Sequence, residues 1–304
     1  MWLFLSFIAS ILQTFRNSFQ RSLMASAGTW AATWVRFAFG VPISLAVMLV
    51  LMFIMRHPLY NLSFDFVIIA SIGALAQVLA TAALMKAMQA SSFALGATLQ
   101  HSSLLITALF GVVFLGDNLQ SLQWFGFVLA SFGMILASWP KGQVERANLK
   151  KTIIGGLWGL LCGCFFAISA NAFRRSVLII EPSPTIFASC FTVLFVQAIQ
   201  GLGVGIYLKL FEPKNFQKAL SSWKESLAAG IAGAGSSIIW FLALALVPAA
   251  LPRAINLLVE APGSIIIGAV KFKEHLSKRK IFGILLITGG VILCLFPMFS
   301  MQFH

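Results

Sequence analysis

The chain has 304 residues, 60% of them hydrophobic and 10% charged, with 21 Lys and Arg against 8 Asp and Glu for a formal charge of +13. Soluble domains carry about 25% charged and about 45–50% apolar residues, so there are too few polar side chains to clothe a water-facing shell. A soluble enzyme is excluded, and so is a nucleic-acid binder: no RNA- or DNA-binding motif accompanies the positive charge.

Crossing the hydrocarbon core takes about 20 apolar residues in a helix. Ten stretches qualify in chain order: 2–24, 30–55, 66–88, 93–115, 122–139, 153–173, 186–208, 227–247, 251–270 and 281–299. Only the breaks at 91–92 and 248–252 separate the third from the fourth and the eighth from the ninth. The expected fold class is all-α and integral to the membrane, because lipid offers an open backbone no hydrogen-bond partners. The short alternating strands of a membrane barrel are not seen. Met1 leads straight into apolar sequence with no basic region or cleavage site, so the first stretch is expected to remain as a helix. Cys162, Cys164, Cys190 and Cys294 all fall in apolar stretches and read as small membrane-core side chains.

The chain repeats itself. Asn17-Ser-Phe19-Gln-Arg21-Ser22 returns as Asn171-Ala-Phe173-Arg-Arg175-Ser176. Asp117-Asn-Leu119, Phe125-Gly126 and Gly133-Met-Ile135-Leu136 return as Glu274-His-Leu276, Phe282-Gly283 and Gly290-Val-Ile292-Leu293. The offsets, 154 and 157, divide the chain into halves 1–148 and 149–304 with five spans each. An odd number of spans forces the second half to enter from the opposite side. Inverted repeats of this kind are common in secondary transporters, where the binding site lies between the halves near the midplane.

Loop charge sets an expected orientation. The loops 140–152, 209–226 and 271–280 fall on one side and hold thirteen basic residues: Lys141, Arg146, Lys150, Lys151, Lys209, Lys214, Lys218, Lys224, Lys271, Lys273, Lys278, Arg279 and Lys280. The other side has Arg56 as its one clear loop charge. The basic side is read as cytoplasmic, facing anionic lipid headgroups, which places both termini outside.

Three features together resemble the drug/metabolite transporter superfamily in its EamA-type branch. They are the five-plus-five layout, the acidic residue nine positions before a glycine (Asp117 and Gly126, Glu274 and Gly283), and Glu260, fourteen positions before Glu274. The family often has a proline directly after that Glu; here it is Pro262, one place late. The resemblance implies a solute carrier with no covalent cofactor, in a branch whose members export amino acids, drugs and other metabolites or import metabolites. It also implies cytoplasmic termini, against the charge count.

Polar residues inside a membrane are costly, and each calls for a reason. Ser6, Ser10, Gln13, Asn17 and Arg21 recur every three or four residues and share one face of span 1. Span 3 has Gln77 and Thr81, span 4 has Gln100, Ser103 and Thr107, and span 9 has Arg253, Asn256, Glu260 and Ser264. Glu260 is the one acidic residue well inside a span, placed to carry a proton, to meet a substrate cation, or to pair with Arg36 or Arg253. The candidate substrate-binding set is Asn17, Arg21, Arg36, Gln77, Gln100, His101, Asn171, Arg175, Asn256 and Glu260. Helix packing is the competing reading for the Ser and Thr residues and for His101, and snorkelling to headgroups for Arg174 and Arg175.

No paired carboxylates, H-E-x-x-H, P-loop or G-x-S-x-G stand in the sequence. An enzyme is not expected, and neither is a metal site or other cofactor. Seven basic residues lie in or at the ends of spans (Arg16, Arg21, Arg36, Lys86, Arg174, Arg175 and Arg253) against Glu260. The expected function is a secondary transporter that moves a small metabolite, an amino acid or organic anion, across a bacterial cytoplasmic membrane by alternating access. The alternative is a proton-coupled exporter of cationic drugs using Glu260. The expected partners are a small solute and lipid, with proton coupling open, in a monomer or homodimer.

Overall fold

A computed structural model describes residues 1–56, 63–90, 102–138, 149–180, 185–273 and 278–300. The helices are α1 (Trp2–Ala38), α2 (Val41–Met55), α3 (Phe64–Ala90), α4 (Ser103–Leu115), α5 (Ser121–Ser138), α6 (Leu149–Ile179), α7 (Thr185–Phe211), α8 (Pro213–Ser221), α9 (Trp223–Leu246), α10 (Ala250–Phe272) and α11 (Lys278–Ser300). No strand occurs among the described residues, so the all-α membrane fold class holds. Seven helical stretches among them are long and apolar enough to cross a membrane, and α4 and most of α5 form shorter apolar helices. The chain is a multi-pass membrane protein.

The first stretch, Trp2–Met55, runs 54 residues. Straight, it would measure about 80 Å, far beyond the bilayer. It folds back at Gly28, whose φ of 84° and ψ of 173° lie in a region open essentially to glycine alone. The reversal is measured by one bond: Gln20 Nε2 donates to the Ala32 carbonyl at 2.7 Å. Twelve residues along a straight helix would separate those groups by about 18 Å. The chain thus turns back on itself at Gly28, within the expected gap 25–29. A second interruption, at Phe39 and Gly40, was not anticipated. Pro42, at the start of α2, has no N–H to continue the helix from Ala38.

The loop expected at 209–226 contains the helix α8. Ala219 is buried and Phe216 half-buried, while Lys214, Lys218 and Leu220 are exposed. The helix lies over the Gly28 turn: Asn215 Nδ2 would be 3.3 Å from a β-carbon at that glycine. Phe216 stacks tilted on Trp34 with ring centroids 4.8 Å apart.

The outer surface is apolar, with Phe4, Phe15, Phe53, Phe114, Phe125 and Phe282 among its exposed side chains. A hydrocarbon surround accounts for this pattern where water would not. Inside, the most extensive packing joins α1 to α9, α3 to α6, and α5 to α11. The last pair meets backbone to backbone. A β-carbon at Gly126 would sit 2.5 Å from the Gly290 carbonyl oxygen, and one at Gly290 2.6 Å from that of Gly126. Gly133 and Gly283 make the same mutual approach at 2.7 Å each way. Such contacts recover dispersion energy that lipid tails cannot otherwise be made to yield between helices.

Candidate functional site

The polar stripe of α1 points into the bundle. Ser6, Ser10 and Asn17 are fully buried and Gln13 nearly so. Their hydroxyls return to the helix backbone, Ser10 Oγ to Ser6 O at 2.6 Å and Thr14 Oγ1 to Ser10 O at 2.9 Å. Across the interface, Asn256 Nδ2 of α10 donates to Ser10 Oγ at 3.1 Å. Polar atoms satisfied this way can be held in hydrocarbon at small cost.

Three guanidinium groups converge beside that stripe. Arg16, Arg36 and Arg253 are 1%, 3% and 4% exposed, and all three line one narrow internal cavity. Each is held by a neutral neighbour. Arg16 Nη2 donates to Asn17 Oδ1 at 2.8 Å, Arg36 Nη1 to Thr81 Oγ1 at 3.0 Å, and Arg253 Nη2 to the Phe166 carbonyl at 3.2 Å. The Arg253 guanidinium also faces the Phe166 and Trp240 rings, 5.0 and 5.3 Å from their centroids. A desolvated cation–π contact of this kind is worth about 2 kcal/mol. Glu260, fully buried two turns along α10 from Arg253, lies within electrostatic reach of all three.

The cavity takes Gln13, Arg16, Arg36 and Gln77 from the first half of the chain, and Phe166, Ser236, Ser237, Trp240 and Arg253 among others from the second. Of the expected residues, Arg36 and Gln77 line it. Asn17 holds Arg16, and Asn256 and Glu260 stand buried on α10. Gln77 Oε1 also accepts from Gln200 Nε2 at 3.0 Å, which ties α3 to α7.

Three expected residues lie elsewhere. Arg21 donates to the Met88 carbonyl. Asn171 Nδ2 donates to Ala167 O of its own helix at 3.0 Å and to Thr107 O at 3.3 Å, the latter joining α6 to α4. Arg175 is exposed. Beside it Arg174 turns inward and pairs with Asp117 at 2.5 Å. Gln100 and His101 lie outside the described residues, as does Glu274. Cys162, Cys190 and Cys294 are buried and Cys164 is exposed; all four are free thiols.

Arg16, Arg253, Trp240, Ser236 and Ser237 were missing from the expected set. Arg253 already stood on the span 9 stripe with Asn256 and Glu260. Arg16 is three residues after Gln13 on the stripe's flank. Ser236, Ser237 and Trp240 also share a face at helical spacing, a signal present in span 8 but diluted by its alanines.

A buried polar cavity inside a lipid-facing helical bundle is an arrangement that fits a membrane transporter. Residues 1–139 match the EamA-like transporter family, so the resemblance to the drug/metabolite transporter superfamily holds. No curated protein matches the chain. A crystal structure of a protein 17% identical in sequence is similar in fold, with a TM-score of 0.67 over 96% of each chain.

Proposed function

We propose that the chain is a ten-span secondary transporter that carries a small carboxylate-bearing metabolite, an amino acid or organic acid, across a bacterial cytoplasmic membrane by alternating access. The observation that carries this reading is the convergence of Arg16, Arg36 and Arg253 on one cavity lined from both halves. Buried guanidinium groups are costly in a membrane interior, and an arriving carboxylate offsets that cost with charge-assisted hydrogen bonds.

The two arms of Trp2–Met55, the six further long stretches, and α4 and α5 together give the ten crossings of this reading. Its two halves, 1–148 and 149–304, are supported by the glycine contacts. The repeat relates Gly126 to Gly283 and Gly133 to Gly290. A two-fold operation on that relation turns the Gly126–Gly290 contact into the Gly283–Gly133 contact, and both are present. It likewise exchanges the α1–α9 and α6–α3 pairs. The cavity is narrow, and in carriers built from inverted repeats cargo enters by separation of the halves.

The test is counterflow in proteoliposomes loaded with a panel of amino and organic acids. Exchange of at least one acid, lost in Arg36→Gln with the protein still folded, is the expected result. A second reading, export of cations coupled to protons, is favoured by the burial of Glu260 near the cavity. Exchange of lipophilic cations but of no acid, abolished by Glu260→Gln, would establish it instead.

A further inference from the structure

We propose that the cavity selects a dianion, a solute with two carboxylates or a phosphate monoester, over a monoanion of the same size. The proposal rests on the anion-transport reading above and deepens it. Arg16, Arg36 and Arg253 contribute three positive charges, since guanidinium stays protonated in proteins. Among the described residues, the one acidic group within their reach is Glu260. Even with Glu260 ionised the site keeps two positive charges, and with it neutral it keeps three. A monoanion leaves at least one uncompensated charge in the bundle, and a dianion can bring the balance to zero.

The hydrogen-bond geometry points the same way. Among the described residues, none of the three guanidinium groups lies within 4 Å of a carboxylate, and the ion pair present there is Arg174 with Asp117. Arg16 Nε and Arg253 Nε are buried N–H groups with no acceptor. Such donors cost about 1–3 kcal/mol each when left unmade. These two stand on different helices, α1 and α10, so one acceptor group for each is the arrangement that satisfies both. Arg253 is fixed between Phe166 and Trp240 and Arg16 is tied to Asn17, so the donors are held in place before cargo arrives.

The other described residues that line the cavity bring no second negative charge. Gln13, Gln77, Ser236 and Ser237 are neutral, and Phe166, Phe173, Trp240 and Phe241 are aromatic. The apolar wall suits a short carbon chain between the two anionic ends.

The test uses the full-length purified protein in detergent micelles. Thermal stabilisation is titrated with butyrate, succinate and glycerol 2-phosphate, and with tetraphenylphosphonium as the cation. Succinate or glycerol 2-phosphate should reach half-maximal stabilisation at a concentration at least about tenfold below butyrate, and whichever of the two acts identifies the source of the double charge. Arg16→Gln removes one positive charge and should narrow that preference; Glu260→Gln should keep or widen it. Arg36→Gln gives a second removal should Arg16→Gln not fold. A helix-packing role for these residues would change melting temperatures without moving the preference. Equal potency of butyrate and succinate overturns the dianion proposal and leaves anion transport standing. Stabilisation by tetraphenylphosphonium alone overturns both.

Discussion

Arg174 Nη1 lies 2.5 Å from Asp117 Oδ1 and so fastens the end of α4 to α6. Both side chains are largely withdrawn from the surface, 14% and 6% exposed. Asp117 sits just beyond Gly116, a C-terminal cap with φ of 69°.

A charge that loses its partner here is left in a poor solvent. Asp117→Asn and Arg174→Gln should each lower stability by about 1–3 kcal/mol. The double variant should melt no lower than the worse single, because removal of both leaves no orphan charge. Thermal melting in detergent, read as a double-mutant cycle, checks this. Fully additive losses would mean that the pair is a proximity without energetic coupling.

The contact between α5 and α11 predicts a contrast between neighbouring glycines. Gly290→Ala drives a methyl group into the Gly126 carbonyl and the Ala130 backbone, whereas Gly289 faces open space. Gly290→Ala should cost about 1–3 kcal/mol through forced separation of the helices, and Gly289→Ala should be close to neutral. Size-exclusion profiles with melting curves measure both. Equal tolerance would show that the two helices slide apart without loss.

At Gly28 the strain argument is conformational. Its φ and ψ are closed to side-chain-bearing residues, so Gly28→Ala should cost about 1–3 kcal/mol and slow the closure of the first hairpin. Gly203→Ala, in an open helical position, is the control. Cysteines at Gln20 and Ala32, positions that meet across the turn, report on it through their cross-linking yield: no change is expected in Gly203→Ala, and a changed yield in Gly28→Ala marks a displaced hairpin.

Arg253→Lys keeps the positive charge but loses the planar face that meets Phe166 and Trp240. Counterflow should fall at least about tenfold, the equivalent of ~1.4 kcal/mol. Near-normal exchange would reduce Arg253 to a charge that a flexible ammonium replaces.

Orientation is tested by labelling. In a cysteine-free background, Ser63→Cys should react with an impermeant reagent from outside and Ser221→Cys, on the basic side, should not. Both positions are exposed. The opposite pattern would put the termini in the cytoplasm, as the family resemblance implies.

Much of the bundle was legible because lipid imposes a length rule that a single sequence can be read against. The runs 66–88, 186–208 and 281–299 fall within α3, α7 and α11. The short α8 escaped because its lysines break any apolar window, although its apolar face is packed. At the site, polar residues could be found but not their convergence. Asn17 and Asn171 occupy matching places in the repeat, yet one holds Arg16 and the other bridges to the backbone of α4. Which face meets which neighbour is decided by helix pairing, and no periodicity within one span contains that. Arg16 was passed over for the same reason: one residue from Asn17, it turns about 100° around the helix axis, into the space that α10 and α3 happen to border.

The bond from Trp34 Nε1 to the Gly201 carbonyl, 2.9 Å across 167 residues of chain, has a consequence for biosynthesis. At about 5–20 residues per second, the first hairpin waits on the order of 10–30 s in the bilayer before the helix that receives its indole has been made. Over that interval Arg16 already has its acceptor next door in Asn17, while Arg36 must await Thr81 on α3. The nascent hairpin therefore carries its deepest cation with a partner supplied by its own turn of helix, and α3 is the first later segment able to relieve the other.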